Sequence, residues 1–166
     1  AVLILSSCSA FFVFAGAVII DMSLTFCTTG AIFSYLAFQM EAKKGLKRLS
    51  SLCIFAFLGL GFLTKGPVAV VMFGIPVFLW MFIHRKWSTL KDLDWLFGIP
   101  LFLFLTVPWY WVAESRNPGF LKYFFLNENF LRFFAYQFGD LYGGGRSLPY
   151  GSAAVLFFLA GLPWTL

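Results

Sequence analysis

Long apolar runs separated by short polar stretches are the feature that most constrains this chain. Six such runs can be marked, at 1–14, 22–40, 50–64, 67–83, 95–113 and 150–166. A helix needs about 20 apolar residues to cross the hydrocarbon core of a bilayer. The pattern therefore predicts an all-α membrane protein, a polytopic bundle of transmembrane helices. The run at 50–64 is short for a span, so we expect it to tilt or to lie in locally thinner bilayer.

The composition supports a lipid environment. Of the 166 residues, 61% are hydrophobic and 11% are charged, whereas soluble proteins carry about 25% charged residues. The net charge of +5 comes from basic residues in short stretches between apolar runs, a pattern that fits lipid headgroups rather than nucleic acid. We therefore expect membrane lipids as partners and no nucleic acid.

The basic stretches predict the orientation of the bundle. Residues 41–50 and 84–94 hold most of the lysines and arginines, and short loops rich in these residues stay in the cytoplasm. Two spans separate the stretches, so both should face the same side. This topology places Asp21, Lys65 and the stretch 114–149 outside.

The stretch 114–149 is too polar to span and too aromatic for an ordinary loop, so we expect an amphipathic helix lying on the outer membrane face. Asn117 is the predicted N-cap, with Pro118 in the first turn. A helix over 118–138 would have one polar face and one apolar face. The polar face comprises Lys122, Glu128, Asn129, Arg132 and Tyr136; the apolar face comprises Phe120, Phe124, Leu131 and Phe134. Phe125 and Phe133 interrupt the polar side.

Asp21 is the first candidate site residue, because it is the only charged residue among the first forty. An ionisable group in an apolar stretch is a functional candidate. Asp21 also suits the N-cap of a helix beginning at Met22, where its carboxylate would meet the positive end of the helix dipole. An ionised capping carboxylate fits substrate positioning or metal ligation better than general-acid catalysis.

Lys65, Gly66 and Pro67 form the sharpest local feature. Pro67 in a first helical turn leaves amides unsatisfied, Gly66 would let a ligand approach the backbone, and Lys65 adds a full positive charge. This combination predicts an anion site. The alternative is a lysine at a tight turn whose ammonium group reaches the headgroups.

Glu128 and Arg132 are four residues apart, so they could form only an ordinary ion pair on a helix surface. By the predicted topology, however, they lie on the same membrane face as Asp21 and Lys65. An acid and two cations under an amphipathic cover would suit a lipid-linked phosphate, which becomes the leaving group in sugar transfer.

The order of several short motifs resembles the bacterial protein-mannosyltransferase and aminoarabinose-transferase family. The motifs are Asp21-Met22-Ser23-Leu24-Thr25-Phe26, Thr64-Lys65-Gly66-Pro67, Pro108-Trp109-Tyr110, Asn117-Pro118-Gly119-Phe120, Asn127-Glu128-Asn129-Phe130-Leu131-Arg132-Phe133 and Leu162-Pro163-Trp164. The resemblance implies a GT-C fold and transfer of a sugar from a polyprenyl-phosphate donor to lipid A, a protein or another envelope acceptor. It also implies a bacterial inner-membrane location, with the active site facing the periplasm.

Carried to individual positions, the resemblance implies that Asp21 is an acidic residue beside the active cavity that positions substrate or a metal. Lys65 and Arg132 would bind the carrier phosphate, and Glu128 would lie in the same outer helix. Together with Gly66, predicted from the local geometry above, Lys65, Arg132 and Glu128 make up the expected substrate site. A divalent cation held by Asp21 and Glu128 is compatible with this pattern, but Asn129 stands where the family often has His. The catalytic acid of the family lies in an outer loop absent from this sequence, so we expect residues 1–166 to be part of one transmembrane domain, truncated at both ends.

Two other functions fit parts of the pattern. A transporter or flippase for an anionic lipid or solute would also contain intramembrane charge and broken helices. The charged residues cluster at one face rather than at the midplane, however, and no inverted repeat relates the halves. A noncatalytic membrane subunit explains the hydrophobicity but not the ordered Asp, Lys-Gly-Pro and Glu/Arg features.

Overall fold

The structure is a computed structural model that describes residues 3, 7, 8, 11, 20–131, 155 and 158–160. The chain forms two compact units, one of Ala1–Met22 with Gln137–Leu166 and one of Ser23–Tyr136. In the first unit, the Ser7 hydroxyl donates to the Leu3 carbonyl at 2.7 Å. The predicted runs 1–14 and 150–166 lie mostly outside the described residues.

Every regular element in the described part of the chain is helical, as predicted for an all-α membrane protein. The helices are α1 (Ile20–Met40), α2 (Lys44–Lys65), α3 (Pro67–His84), α4 (Thr89–Asp92), α5 (Trp95–Arg116) and α6 (Phe120–Lys122), followed by a π-helix at Tyr123–Leu131. Among these residues, α2, α3 and α5 are long and apolar enough to cross a membrane. Some polar side chains of α1 bond to the backbone of the same helix. The Ser34 hydroxyl, for example, donates to the Gly30 carbonyl at 2.7 Å.

Helix α2 corrects the prediction of a short span at 50–64. It begins at Lys44 and contains 22 residues, so it needs neither strong tilt nor a thinner bilayer. Its first turns are basic, and charged residues in the sequence predict a loop rather than part of a span. Lys and Arg can nevertheless begin a membrane helix, since their aliphatic stems cover apolar surface while their charged ends reach polar partners. The ammonium group of Lys47 lies 4.9 Å from the centre of the Phe38 ring.

Small residues allow the long helices to approach closely. Helix α2 packs mainly against α5 and then against α3. A Cβ atom placed on Gly61 would lie 3.0 Å from the Cβ of Ala69 and 3.3 Å from that of Cys27, so α1, α2 and α3 meet there. Close backbone approach at small residues is a usual source of packing between membrane helices.

The basic stretches 41–50 and 84–94 lie at the same end of the second unit, as predicted. Lys47 Nζ is 3.0 Å from Asp92 Oδ2, and Arg48 Nε is 2.6 Å from Asp94 Oδ2. The buried Ser51 hydroxyl also accepts the Asp94 amide at 2.9 Å. These contacts fix the connection between α3 and α5 against the first turns of α2.

Beside this end lies an apolar core contributed by three helices. Its buried members are Tyr35, Phe38, Ile54, Val77 and Met81. The Tyr35 ring makes edge-to-face contacts with Phe73 and Trp80. This packing brings side chains of α1, α2 and α3 together at the end of the unit opposite the junction between α2 and α3.

Candidate functional site

The α2–α3 junction has the local geometry that the Lys-Gly-Pro sequence predicts. Lys65 is the last residue of α2, and Pro67 is the first residue of α3. Gly66 between them has φ +66° and ψ −139°, and its amide donates to the Phe62 carbonyl at 2.7 Å. A lysine side chain therefore stands next to the positive end of the α3 dipole, a combination that favours an anion.

Side chains of the outer segment pack against Gly66. A Cβ atom built on this buried glycine would lie 2.6 Å from Cε1 of Phe124 and 3.6 Å from Nδ2 of Asn129. The absence of a side chain at Gly66 thus lets the Phe124 ring pack on the junction. The predicted substrate contact of Gly66 stays a prediction.

Phe124 and Asn129 belong to the π-helix, which corrects the predicted amphipathic α-helix. In a π-helix, residues five apart are neighbours, and two side-chain bonds have this spacing. The Tyr123 hydroxyl donates to Glu128 Oε1 at 2.8 Å, and Asn129 Nδ2 donates to the Phe124 carbonyl at 2.8 Å. The faces assigned from a period of 3.6 residues are therefore wrong for residues 123–131. The rest of the predicted faces, at Arg132, Phe133, Phe134 and Tyr136, lies outside the described residues.

Two consecutive phenylalanines of the π-helix pack on the bundle, and this packing differs from the predicted faces. The Phe125 ring, predicted to interrupt the polar side, lies 6.0 Å from the Phe62 ring and 5.6 Å from the Tyr110 ring. The Phe124 ring lies 5.7 Å from Tyr110. The segment is thus held by aromatic contacts with the ends of α2 and α5.

The start of this outer segment also differs from the prediction. Asn117 is not an N-cap. It is instead the C-cap residue of α5, and its amide donates to the Ala113 carbonyl at 2.9 Å. The next helix begins at Phe120 after Gly119, whose φ is +93°. The capping acceptor is Glu114, whose two carboxylate oxygens accept the Gly119 amide at 2.9 Å and the Leu121 amide at 2.8 Å.

Glu114 was not among the predicted site residues, although the sequence carries one signal for it. A carboxylate in the last turn of a helix faces the negative end of the dipole, which is unfavourable without a specific partner. Glu114 is in that position in α5. An acidic residue in the last turn of a helix, shortly before a glycine, therefore indicates that its carboxylate accepts hydrogen bonds from the turn that follows.

Tyr110 is a second residue of the site that was not among the predicted site residues, since it stands between two tryptophans of the kind found at membrane interfaces. Trp109 and Trp111 are exposed, as a belt requires, whereas Tyr110 is buried. Its hydroxyl donates to the Phe62 carbonyl at 2.9 Å, the same carbonyl that accepts the Gly66 amide. Tyr110 therefore fixes the end of α2 next to Lys65.

Of the remaining predicted site residues, the structure describes Asp21 but not Arg132. Asp21 is an exposed residue in the first turn of α1, and it is not an N-cap because the helix begins at Ile20. Asp21 belongs to the first unit and Lys65 to the second. Arg132 lies outside the described residues, so the predicted convergence of Asp21, Lys65 and Arg132 stays a prediction.

Metal ligation by Asp21 and Glu128 likewise stays a prediction. No group of three His, Cys, Asp or Glu side chains converges within the part of the chain that the structure describes. A shallow pocket of about 600 Å³ lies at the far end of α3, lined by Phe82, Ile83, Arg85 and Trp87. None of the predicted site residues lines it.

The chain is similar to known membrane proteins in sequence and in fold. A family model described as dolichyl-phosphate-mannose-protein mannosyltransferase matches residues 1–124. Undecaprenyl phosphate-alpha-4-amino-4-deoxy-L-arabinose arabinosyl transferase 1 of Proteus mirabilis is 34% identical over 150 residues, which cover 88% of this chain and 25% of that protein. The protein of the same name from Pseudomonas fluorescens is 30% identical over 111 residues, covering 65% of this chain and 18% of that protein.

A crystal structure of ArnT from Cupriavidus metallidurans bound to undecaprenyl phosphate matches 98% of this chain and 29% of that chain, with a TM-score of 0.85 and 26% identity. The present chain therefore has the helical arrangement of part of a GT-C membrane protein. It spans about a quarter of the length of these relatives. Because the family model covers 124 residues from the first onward, the chain belongs to the dolichyl-phosphate-mannose-protein mannosyltransferase family.

Proposed function

We propose that this chain is part of an integral membrane glycosyltransferase that transfers a sugar from a polyprenyl-phosphate donor to a cell-envelope acceptor such as lipid A, a protein or another glycan. Residues 1–166 would belong to one transmembrane domain, and 114–149 would form an outer segment. The names of the relatives support the donor class, because they specify an undecaprenyl-phosphate-linked aminoarabinose. The bound undecaprenyl phosphate in ArnT supports the same class.

The observation that carries this proposal is the α2–α3 junction. Lys65 ends α2 immediately before the glycine and proline that begin α3. The lysine contributes a full positive charge and the helix end a partial one, so together they favour the phosphate of a lipid carrier. An ordinary transmembrane turn requires neither feature.

The proposed reaction needs charge stabilisation on the phosphate. An acceptor oxygen attacks the anomeric carbon, the bond from that carbon to the phosphate oxygen breaks, and its electron pair leaves with the polyprenyl phosphate. The acceptor proton passes to a carboxylate elsewhere in the full-length protein. Lys65 and Arg132 would stabilise the negative charge that develops on the leaving group, and configuration at the anomeric carbon would invert.

Asp21 and Glu128 would position the substrates in this proposal. Glu128 is already oriented, because its Oε1 accepts the Tyr123 hydroxyl at 2.8 Å. Hydrogen bonds of this kind also orient carboxylates that bind metals. Carboxylate oxygens of Asp21 and Glu128 would suit a divalent cation, which when bound would neutralise part of the phosphate charge.

The proposed location is a bacterial inner membrane, with the Lys65 end outside. The supporting observation is the separation of charge along α2, whose basic first turns join the stretch 84–94 through two ion pairs. Short basic stretches favour the cytoplasmic side. The other end of α2, at Lys65, would then face the periplasm.

The donor class can be tested with the full-length protein in membranes. Labelled sugar is supplied either on polyprenyl phosphate or on a nucleotide, and its transfer to envelope acceptors is measured. We expect transfer only from the lipid-linked donor. Transfer from the nucleotide donor alone would contradict the proposal, as would movement of an anionic lipid across the bilayer without any sugar transfer.

A further inference from the structure

The carboxylate of Glu114 links the end of α5 to the start of the outer segment. Its Oε1 accepts the Gly119 amide at 2.9 Å, and its Oε2 accepts the Leu121 amide at 2.8 Å. Hydrogen bonds to a charged acceptor are stronger than those between neutral groups. The two bonds close a tight turn around Gly119, whose φ of +93° offers no regular helical continuation.

The turn that Glu114 closes lies immediately before the π-helix. Leu121 is the second residue of α6, and the π-helix follows from Tyr123. A change in this register would rotate Phe124 and Asn129 away from Gly66, which they now cover. It would also move Glu128, whose carboxylate is five residues from its partner Tyr123.

The position of Glu114 indicates a role other than stabilising α5. A carboxylate in the last turn of α5 opposes the helix dipole, so its presence costs α5 stability unless the outer turn supplies the donors. The neighbouring Ser115 side chain bonds within α5, where its hydroxyl donates to the Val112 carbonyl at 2.9 Å. Glu114 alone among the described residues of this last turn bonds forward to Gly119 and Leu121.

We propose that Glu114 is a positioning residue that sets the register of the outer segment over the α2–α3 junction, and through it the geometry of the donor-phosphate site at Lys65. This inference rests on the proposed function, since it assigns the junction to the donor. Glu114 does not touch the reacting atoms; it acts through Phe124, Glu128 and Asn129.

Hydrogen exchange tests the tether without reference to activity. In full-length protein we expect Glu114→Ala to raise exchange in peptides that contain Gly119 and Leu121 by about tenfold or more. Glu114→Gln should give an intermediate increase, because its amide retains one acceptor oxygen. Ser115→Ala is the matched control and should leave exchange unchanged. Wild-type exchange in Glu114→Ala would overturn the proposal.

Kinetics test the link to the donor. Glu114→Ala should raise KM for the polyprenyl-phosphate donor by about tenfold while changing kcat by less than about threefold. A role in stability alone would lower the amount of folded enzyme and leave the donor KM unchanged, and that result would overturn the proposal. If the wild-type protein transfers no sugar from this donor, the proposed function fails, whereas the exchange experiment still decides whether Glu114 sets the register.

Discussion

The Phe124 ring lies against Gly66 at the position where any other residue would carry its Cβ atom. The built Cβ would be 2.6 Å from Cε1 and 2.9 Å from Cζ of this ring. This contact joins the outer segment to the α2–α3 junction, next to Lys65. The backbone of Gly66, with φ +66° and ψ −139°, is also one that other residues adopt only with strain.

Gly66→Ala should destabilise the protein, because the added methyl group meets both the Phe124 ring and an unfavourable backbone. We expect a loss of about 1–3 kcal/mol in the free energy of unfolding, measured by thermal unfolding in detergent. Gly74→Ala is the matched control. Gly74 lies within α3 and a Cβ there would meet no atom within 4 Å, so this variant should be neutral or slightly more stable. Equal stability of the two variants would contradict the assigned packing.

The α2–α3 junction and the charge distribution were predictable from the sequence for a physical reason. Gly-Pro after an apolar run both ends one helix and begins the next, so the signal is local. The basic stretches 41–50 and 84–94 were predicted on one side from charge and span count. Their contact through Arg48 and Asp94 agrees with that prediction.

Other features depend on contacts that residue types do not encode. The π-helix could not be found with a period of 3.6 residues, because its neighbours are five apart, as Tyr123 and Glu128 are. The bonds of Glu114 go to backbone amides, which every residue except proline carries. The start of α2 at Lys44 could not be read from hydropathy, because the first turns of this helix are charged.

The two ion pairs at the basic end should differ in strength, because the carboxylate of Asp94 is more buried than that of Asp92 and lies closer to its cation, at 2.6 Å against 3.0 Å. The Asp94 side chain is 20% exposed in its pair with Arg48, whereas Asp92 is 55% exposed in its pair with Lys47. Double-mutant cycles of alanine variants should give a coupling energy of about 0.5–1 kcal/mol for Arg48–Asp94 and near zero for Lys47–Asp92. A larger coupling energy for Lys47–Asp92 than for Arg48–Asp94 would refute this ranking.

The proposed orientation predicts which ends of the helices are accessible from outside. Ser115 and Ser88 are both exposed, and they lie near the Lys65 end and the basic end respectively. In intact cells, with the native cysteines replaced, Ser115→Cys should react with a membrane-impermeant maleimide. Ser88→Cys should react only after permeabilisation. The opposite labelling pattern would reverse the proposed topology.

Lys65 provides the most direct test of the phosphate site. We would measure sugar transfer from the polyprenyl-phosphate donor by full-length wild-type protein and by its Lys65→Ala, Lys65→Arg and Lys44→Ala variants at equal membrane abundance. Lys44 begins the helix that Lys65 ends, so its variant controls for loss of a charge from α2. Lys65→Ala removes the charge and should lower sugar transfer by about a hundredfold or more. Lys65→Arg keeps the charge and should retain part of the wild-type transfer activity. Lys44→Ala should transfer sugar at the wild-type rate. Wild-type transfer by Lys65→Ala would contradict the assignment of this junction to the donor phosphate.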